Sequence, residues 1–332
     1  MKTSHKFLLG IIVLLSIGLV SVFYSLQEPT GLVLQEQKTM NVGYLPVLVN
    51  LPLFVALENG YFEKYNLQVN AIEAENPNHV VEALVFGNLD GAGVLAYPIL
   101  FAAEAKYPDS IKIFNSADET QNNYVASIIV RNDSKIYSIN DLKGKKVGVY
   151  TGLVQVLFLK GIIKGAGLDP DKDIEIVQIA PNMQLQGLQA GQYDALSTVE
   201  PFTTIAESKG IGKILVKNPR VVYIQNPFPS VATPLSKKFI EQNPNAARAY
   251  LLAIDDAIDF IRESPGEAKK YLAKYTPVSE QDAPKVVLPV FNRFGEEDRK
   301  AVQENADWFF ENKLLEKRVK VSNMFGKSTF LD

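Results

Sequence analysis

Polar and aromatic side chains follow each of four predicted strands, and these are the residues of the sequence best suited to chemistry. In open parallel sheets a ligand lies beyond the carboxyl ends of the strands, so the four loops are predicted to surround a binding site. An amide such as Asn50 both donates and accepts hydrogen bonds, a tyrosine offers a stacking surface with a hydroxyl, and Glu200 supplies a carboxylate. A helix predicted to begin after residue 150 adds free backbone N–H groups that attract electron-rich atoms. The predicted ligand contacts are Asn50, Leu51, Tyr97, Tyr124, Thr151, Gly152, Gln155, Glu200 and Phe202.

These residue types also have purely structural interpretations, and the sequence leaves both open. Thr151 is suited to capping the helix that follows it. Glu200 precedes a proline, which favours extended backbone in which the carboxylate bonds only nearby groups. Asn50 is typical of turns. Tyr97 and Phe202 are equally suited to a hydrophobic core.

Composition excludes several classes of site. The 332 residues include no cysteine and only two histidines, His5 and His79. This excludes disulfides, thiol nucleophiles, cysteine-ligated zinc, iron–sulfur clusters and a lipid anchor on cysteine. A serine-histidine-aspartate site would depend on His79 alone. With 34 Lys+Arg against 37 Asp+Glu, the formal net charge of −3 gives no reason to expect nucleic acid. We therefore expect no metal, no cofactor and no enzyme that depends on cysteine or on several histidines.

The N-terminal segment predicts export. Residues 7–26 are twenty consecutive residues without a charge, long enough to span a bilayer. A cleaved signal peptide normally has an apolar stretch of about 7–15 residues before a small-residue site. We predict an uncleaved membrane anchor over residues 1–26, with a cleaved signal peptide as the alternative, and a linker over residues 27–39. Lys2 and Lys6 favour a cytoplasmic N-terminus, which places the rest of the chain outside the cytoplasmic membrane.

The remainder of the chain predicts two α/β lobes. Short apolar runs alternate with helix-like segments, as in βα units with a largely parallel sheet. One stretch recurs 104 residues later: Pro77-Asn78, Leu84, Gly87 and Asp90 return as Pro181-Asn182, Leu188, Gly191 and Asp194. The alternative to duplication is that this pattern is a common way for a helix to lead into a strand. Beyond residue 231 the pattern is mainly helical, and we expect these helices to pack on the first lobe. The predicted lobes are residues 40–131 plus 235–332, and residues 132–234.

Short motifs in a fixed order carry a resemblance over about residues 40–275. The first half contains Gly43-Tyr44, Leu51-Pro52-Leu53-Phe54-Val55-Ala56, Asn59-Gly60-Tyr61-Phe62, Leu67-Gln68-Val69, Glu82-Ala83-Leu84 and Gly87-Asn88-Leu89-Asp90. The second half contains Asp141-Leu142-Lys143-Gly144-Lys145-Lys146-Val147-Gly148-Val149, Gly165-Ala166-Gly167-Leu168-Asp169, Gly191-Gln192-Tyr193-Asp194-Ala195 and Glu200-Pro201. In this order the motifs resemble nitrate/sulfonate/taurine-type ABC-transporter solute-binding proteins. The same family includes binders and synthases of the thiamine pyrimidine precursor.

This resemblance implies a type II periplasmic-binding-protein fold. Two lobes are then joined by two crossing segments, which we place near residues 131–134 and 230–234, and a ligand is held in the cleft between them. The lobes close by hinge motion, and the closed form is recognised by a membrane permease. The implied partners are a small-molecule ligand and an ABC permease with its ATPase, and a monomer is the expected state.

The four loops favour one class of ligand. These loops, at residues 46–51, 96–98, 151–155 and 199–202, contain no Lys, Arg or His. An anion would therefore be held by helix N-termini and hydroxyls, while the Glu200 carboxylate repels it. Apolar and aromatic walls with one carboxylate better suit a flat heteroaromatic molecule with an amino group, such as a pyrimidine precursor. A sulfonate, nitrate or similar anion is the alternative ligand.

Two other functions have less support from the sequence. The family's pyrimidine synthases carry a cysteine-rich motif and a substrate histidine, whereas this chain lacks cysteine. An extracytoplasmic ligand-sensing domain is the remaining alternative, although only about six residues precede the predicted anchor.

Overall fold

The computed structural model describes residues 38–327, and the strands within them form two sheets. These strands are β1 (Lys38–Tyr44), β2 (Leu67–Glu73), β3 (Gly91–Ala92), β4 (Leu95–Ala96), β5 (Ile111–Glu119), β6 (Ala126–Arg131), β7 (Lys145–Tyr150), β8 (Ile174–Ile179), β9 (Ala195–Val199), β10 (Gly212–Lys217), β11 (Phe228–Ser236) and β12 (Val290–Asn292). The first sheet has the order β12-β5-β11-β3-β1-β2, with β4 paired to β11, and the second has the order β10-β6-β9-β7-β8.

Helices flank both sheets. The α-helices are α1 (Leu51–Glu58), α2 (Tyr61–Lys64), α3 (Pro77–Phe86), α4 (Tyr97–Lys106), α5 (Leu153–Gly165), α6 (Gln184–Gln189), α7 (Phe202–Ser208), α8 (Pro219–Tyr223), α9 (Lys237–Gln242), α10 (Pro244–Glu263), α11 (Pro265–Lys270), α12 (Leu272–Tyr275) and α13 (Arg299–Glu311). Short 3₁₀ turns lie at Leu48–Asn50, Ile139–Leu142, Pro181–Met183, Ala283–Lys285 and Val321–Asn323. The predicted α/β architecture with a helical C-terminal part is confirmed.

Each sheet is built around a parallel βα unit. Strand β1 runs parallel to β2 and β3, and β7 runs parallel to β8 and β9. The chain passes from the first sheet to the second between β5 and β6, and returns between β10 and β11. We therefore propose residues 120–125 and 218–227 as the crossing segments, which assigns β6 to the second lobe, whereas the sequence analysis placed it in the first.

The duplicated motif occupies the same structural position in both sheets. In the first, α3 ends at Gly87 with φ 74°, and the Asp90 carboxylate accepts a hydrogen bond from Asn41 N at 2.8 Å. In the second, Gly191 has φ 72°, and the Asp194 carboxylate accepts from Lys146 N at 2.9 Å. Each aspartate thus ties the exit of a helix to a strand of its own sheet, β1 for Asp90 and β7 for Asp194. Glycine suits both turns because it adopts positive φ without a Cβ penalty.

The C-terminal helices complete the core of the first sheet. Helix α10 packs on α1 and α2, and its Tyr250 ring stacks on Phe62 with the centroids 5.4 Å apart. Its apolar face is buried, including Leu251, Ile254 and Ile258. A chain segment that follows the second sheet therefore packs on the first, and this packing supports the prediction of a discontinuous first lobe.

Helix α5 joins the two lobes on one side. Its Val154, Leu157 and Phe158 share one hydrophobic cluster with Phe228 and Phe309 of the first lobe. The Phe158 ring lies 5.7 Å from that of Phe228 and 6.2 Å from that of Phe309. This side of the contact between lobes is apolar and tightly packed.

The predicted anchor at residues 7–26 lies outside the described residues. Among residues 38–327, no helix combines the length and the apolar character needed to cross a bilayer.

Candidate functional site

A small cavity lies where the ends of strands from both sheets meet. Its volume is about 50 Å³, which is room for a few water molecules. Most of the wall is aliphatic, and a few polar side chains interrupt it. The lining residues are Leu45, Val47, Val49, Pro77, Val94, Leu95, Ala96, Val125, Tyr150, Val154, Gln155, Phe158, Val199, Glu200, Arg220, Ser230 and Val231.

Glu200 supplies a buried carboxyl group to this cavity. It follows β9 directly, and its side chain is 3% exposed. Its backbone N–H donates to Val125 O at 2.8 Å, which fixes it beside the start of β6. One carboxylate oxygen accepts from Thr204 N at 3.2 Å.

The pKa of Glu200 is raised to about 7, and burial is the largest cause. The nearby charge of Glu207 raises it further, while the hydrogen bonds from Thr204 and the charge of Lys269 oppose the shift. At neutral pH the group is therefore both an acceptor and, when protonated, a donor.

Gln155 supplies an amide on the side of the cavity formed by α5. Its side chain is 6% exposed, and its Nε2 donates to the hydroxyl of Tyr150 at 2.6 Å. Burial raises the pKa of Tyr150 to about 12, so its hydroxyl stays protonated. The two side chains form a connected polar pair in a mostly aliphatic wall.

Asn50 shapes the cavity and does not line it. Its Nδ2 donates to Leu45 O at 2.9 Å, and its Oδ1 accepts from Val94 N at 2.8 Å. The amide therefore joins two loops whose apolar residues form the wall. A Cβ at Gly93 would lie 2.1 Å from Asn50 Oδ1, so this joint requires glycine there.

Four other predicted contacts are packed within the lobes and do not line the cavity. Leu51 and Tyr97 have no exposed area, and the Tyr97 ring stacks on Phe101 with the centroids 5.6 Å apart. Phe202 is 8% exposed in the first turn of α7. Gly152 has φ 137° and precedes α5, where a Cβ would lie 3.7 Å from Pro77. Tyr97 and Phe202 are therefore packed as core aromatic residues, which is their structural interpretation.

Thr151 and Tyr124 lie near the cavity but outside its wall. Thr151 is exposed, and its N–H donates to Ile179 O at 2.8 Å; the residue that caps α5 is Gly152. Tyr124 is half-buried beside Glu200, and burial together with that carboxylate raises the pKa of its phenol. Of the nine predicted contacts, Gln155 and Glu200 line the cavity.

Arg220 is a lining residue that the sequence reasoning missed. It belongs to the short helix α8, its side chain is 4% exposed, and its Nη1 lies 2.6 Å from Glu119 Oε1. Ser230 Oγ donates to the same carboxylate oxygen at 2.9 Å. A cation therefore lines the cavity from outside the four predicted loops. The sequence does not reveal it, because 101 residues separate Arg220 from Glu119 and no local pattern connects them.

Comparison with known proteins identifies the family. The NMT1-like family matches residues 34–276, so the chain belongs to that family. The chain is 28% identical, over 84% of its length and 83% of the relative's, to a Bacillus subtilis protein named as a binding protein for aliphatic sulfonates. It is 23% identical to 4-amino-5-hydroxymethyl-2-methylpyrimidine phosphate synthase THI13 of Saccharomyces cerevisiae, over 74% of this chain and 72% of that one. The proteins that this chain resembles therefore include both a binding protein and a synthase.

A solved structure shows the fold. The alkanesulfonate-binding protein SsuA from Xanthomonas axonopodis pv. citri, bound to MOPS, superposes with a TM-score of 0.71. The match covers 87% of this chain and 98% of that one at 18% identity. The predicted two-lobed α/β fold of periplasmic binding proteins is thus confirmed.

Proposed function

We propose that this protein is the extracytoplasmic solute-binding component of an ABC importer. It captures a small molecule in the cavity between its two lobes and delivers it to a membrane permease driven by an ATPase. The observation that carries the proposal is the buried Glu200 carboxyl in an apolar cavity shared by both sheets. The family's sulfonate-binding members support a role in binding.

The ligand that best fits the cavity is a flat heteroaromatic molecule bearing an amino group, such as a pyrimidine precursor. Aliphatic side chains surround most of the space, which favours a ring over a strongly hydrated ion. An ionised Glu200 accepts a hydrogen bond from the amino group, and the Gln155 amide lies on the same wall. The volume of the cavity limits the ligand to a small ring unless the lobes open further.

A small oxyanion is the second candidate ligand. The position of the Arg220 cation on the cavity wall favours it. The guanidinium lines the cavity, although Glu119 already balances its charge. The two candidates differ in pH dependence because Glu200 has a pKa of about 7. Affinity for an amino-bearing ligand rises as the pH passes upward through 7, whereas affinity for an oxyanion falls.

The proposed location follows from the N-terminal segment. Residues 1–26 serve as an anchor or as a cleaved signal, and residues 27–39 serve as a linker that leaves the two lobes outside the cytoplasmic membrane. Extraction of the full chain only by detergent supports the anchor. A soluble product that begins near residue 27 contradicts it.

Binding is proposed here in preference to synthesis or to ligand sensing. The absence of cysteine separates the sequence from the cysteine-rich motif expected of the pyrimidine synthases. Incubation of the purified protein with a bound pyrimidine should return that pyrimidine unchanged, and a new product would contradict the proposal.

A thermal-shift screen tests the proposal. The purified protein is heated with 4-aminopyrimidine, ethanesulfonate, nitrate, bicarbonate, amino acids and aromatic acids. A ligand at 100 times its dissociation constant stabilises the folded state by about 2.7 kcal/mol, which is readily measured. We expect the aminopyrimidine to raise the melting temperature of the wild type but not of Glu200→Gln. The matched control is Glu104→Gln, a half-buried carboxyl on α4 away from the cavity, which should keep the shift.

A further inference from the structure

The guanidinium of Arg220 is held rigidly from two sides. Its Nη1 contacts Glu119 Oε1 at 2.6 Å and Ser230 Oγ at 3.2 Å. Its Cζ lies 3.9 Å from the centroid of the Phe158 ring, over which the planar group stacks. A side chain held by an ion pair and a ring has little freedom to rotate, so its remaining N–H groups keep a fixed orientation.

The Nε–H of this guanidinium has no hydrogen-bond partner in the part of the chain that the structure describes, although the atom is buried. Buried donors are rarely left unpaired, because losing the hydrogen bond to water is unfavourable. An unpaired buried donor on a side chain that an ion pair already holds in place indicates that something outside the chain is its partner. Arg220 lines the cavity between the lobes, so a molecule in that cavity becomes the partner of Nε once the side chains that shield this atom move aside.

The charge of the site limits what that molecule can be. Glu119 balances Arg220, and its second carboxylate oxygen accepts from Val125 N at 3.1 Å and Ala126 N at 3.2 Å. The ion pair is therefore locally neutral and fully bonded on its acidic side. An uncharged acceptor, such as a ring nitrogen or a carbonyl oxygen, suffices to complete it.

We infer that Arg220 determines specificity by donating a hydrogen bond from Nε to an uncharged acceptor atom of the bound solute. This inference rests on the proposed function and deepens it, because it requires the ligand to carry an acceptor as well as the amino group that faces Glu200. Arg220 is then a ligand contact, and its partner Glu119 also accepts a hydrogen bond from Val125 of the other crossing segment.

A pair of probes that differ in acceptor atoms tests the inference. 4-Aminopyrimidine and aniline have similar shapes and one amino group each, but only the first has ring nitrogens. Titration calorimetry with the full chain should show that the wild type binds 4-aminopyrimidine at least about tenfold more tightly than aniline, as expected for one charged donor. Arg220→Lys keeps a cation beside Glu119 but removes Nε, and it should abolish this preference while binding aniline as the wild type does.

A second arginine provides the matched control. Arg299 also pairs with a buried carboxylate, that of Glu297, and lies 4.6 Å from the ring of Phe325, but it does not line the cavity. Arg299→Lys should keep the preference. If Arg220→Lys does not fold, the double variant Glu119→Gln/Arg220→Gln removes both charges of the pair and should lose the preference equally.

Failure of the inference and failure of the proposed function give different binding results. A wild type that prefers 4-aminopyrimidine together with an Arg220→Lys variant that keeps this preference would overturn the inference and leave the proposed function standing. A wild type that binds neither probe nor any other member of the screening panel would overturn the proposed function, and the inference with it.

Discussion

Glu119 and Arg220 form an ion pair at 2.6 Å in which the two side chains are 0% and 4% exposed. Glu119 ends β5, Arg220 lies in α8, and Ser230 of β11 bonds to the same carboxylate oxygen. The backbone N–H groups of Val125 and Ala126 donate to its other oxygen. One buried carboxylate thus connects both segments that pass between the lobes, and it does so at the wall of the cavity.

Breaking this pair should be strongly destabilising. Arg220→Met removes the cation and leaves a buried carboxylate without its charged partner, which costs about 3–5 kcal/mol. Urea-induced unfolding followed by circular dichroism measures the loss. The control is Lys300→Ala, because the exposed pair of Lys300 and Glu304 should contribute less than about 0.5 kcal/mol. Equal losses in the two variants would contradict a structural role for the buried pair.

The buried carboxyl of Glu200 should make stability depend on pH. Its pKa is raised from 4.5 to about 7 in the folded state, so folding favours the protonated form. The stabilisation is fully present below pH 4.5 and is lost as the pH rises through 7. Glu200→Gln should therefore be more stable than the wild type above pH 7, by up to roughly 3 kcal/mol, and equal to it below pH 4.5.

Melting curves of both proteins between pH 4 and 9 measure this difference. Asp118 has a pKa raised to about 6 by burial, but it is present in both proteins and does not affect the comparison. A gap that stays constant across this range, or that widens towards acid, would contradict the raised pKa of Glu200.

The end of α5 should tolerate no side chain larger than hydrogen. A Cβ at Gly165 would lie 1.7 Å from Tyr223 O, a backbone atom of α8, so Gly165→Ala must displace α8 and with it Arg220. We expect a lower melting temperature together with weaker ligand binding. Gly266→Ala in α11 is the control, because its Cβ would meet nothing within 4 Å, and it should be neutral or stabilising by up to about 1 kcal/mol. Similar effects of both substitutions would contradict the close contact between α5 and α8.

Polar contacts between the end of α7 and Asp282 should control ligand release. Ser208 Oγ at the end of α7 donates to Asp282 Oδ1 at 2.8 Å, and Lys285 Nζ donates to the same oxygen at 2.7 Å. Asp282→Ala removes this link between the lobes without touching the cavity, so the ligand should dissociate faster. Stopped-flow release measures the rate. Asp171→Ala breaks a pair with Lys160 inside the second lobe and should leave the rate unchanged. An unchanged rate in Asp282→Ala would mean that these contacts do not hold the lobes together.

The fold could be predicted from the sequence because its signals are local. Asp90 and Asp194 follow a helix and a positive-φ glycine at the same spacing, and each accepts a backbone hydrogen bond from a strand of its own sheet. Apolar periodicity located the C-terminal helices for the same reason. The extended segment after Asp90 is divided into β3 and β4, because Asn50 Oδ1 accepts the N–H of Val94 between them.

The candidate site could be predicted only in part. Glu200 follows β9 and Gln155 lies in the first turn of α5, so the rule that ligands lie beyond strand ends found both. That rule does not separate a cavity wall from a core, and Leu51 and Tyr97 are fully buried. The rule did not identify Arg220, because this residue lies in a proposed crossing segment and its partner Glu119 is distant in sequence.

Native mass spectrometry tests the central claim most directly, which is that one small molecule binds in the cavity between the lobes. The purified protein is sprayed with 4-aminopyrimidine, alongside the variant Ala96→Phe, whose larger side chain fills the cavity from β4. We predict a single bound molecule per wild-type chain and none on a folded Ala96→Phe chain. Equal occupancy of the two proteins, or a wild type that retains no ligand, would contradict the account.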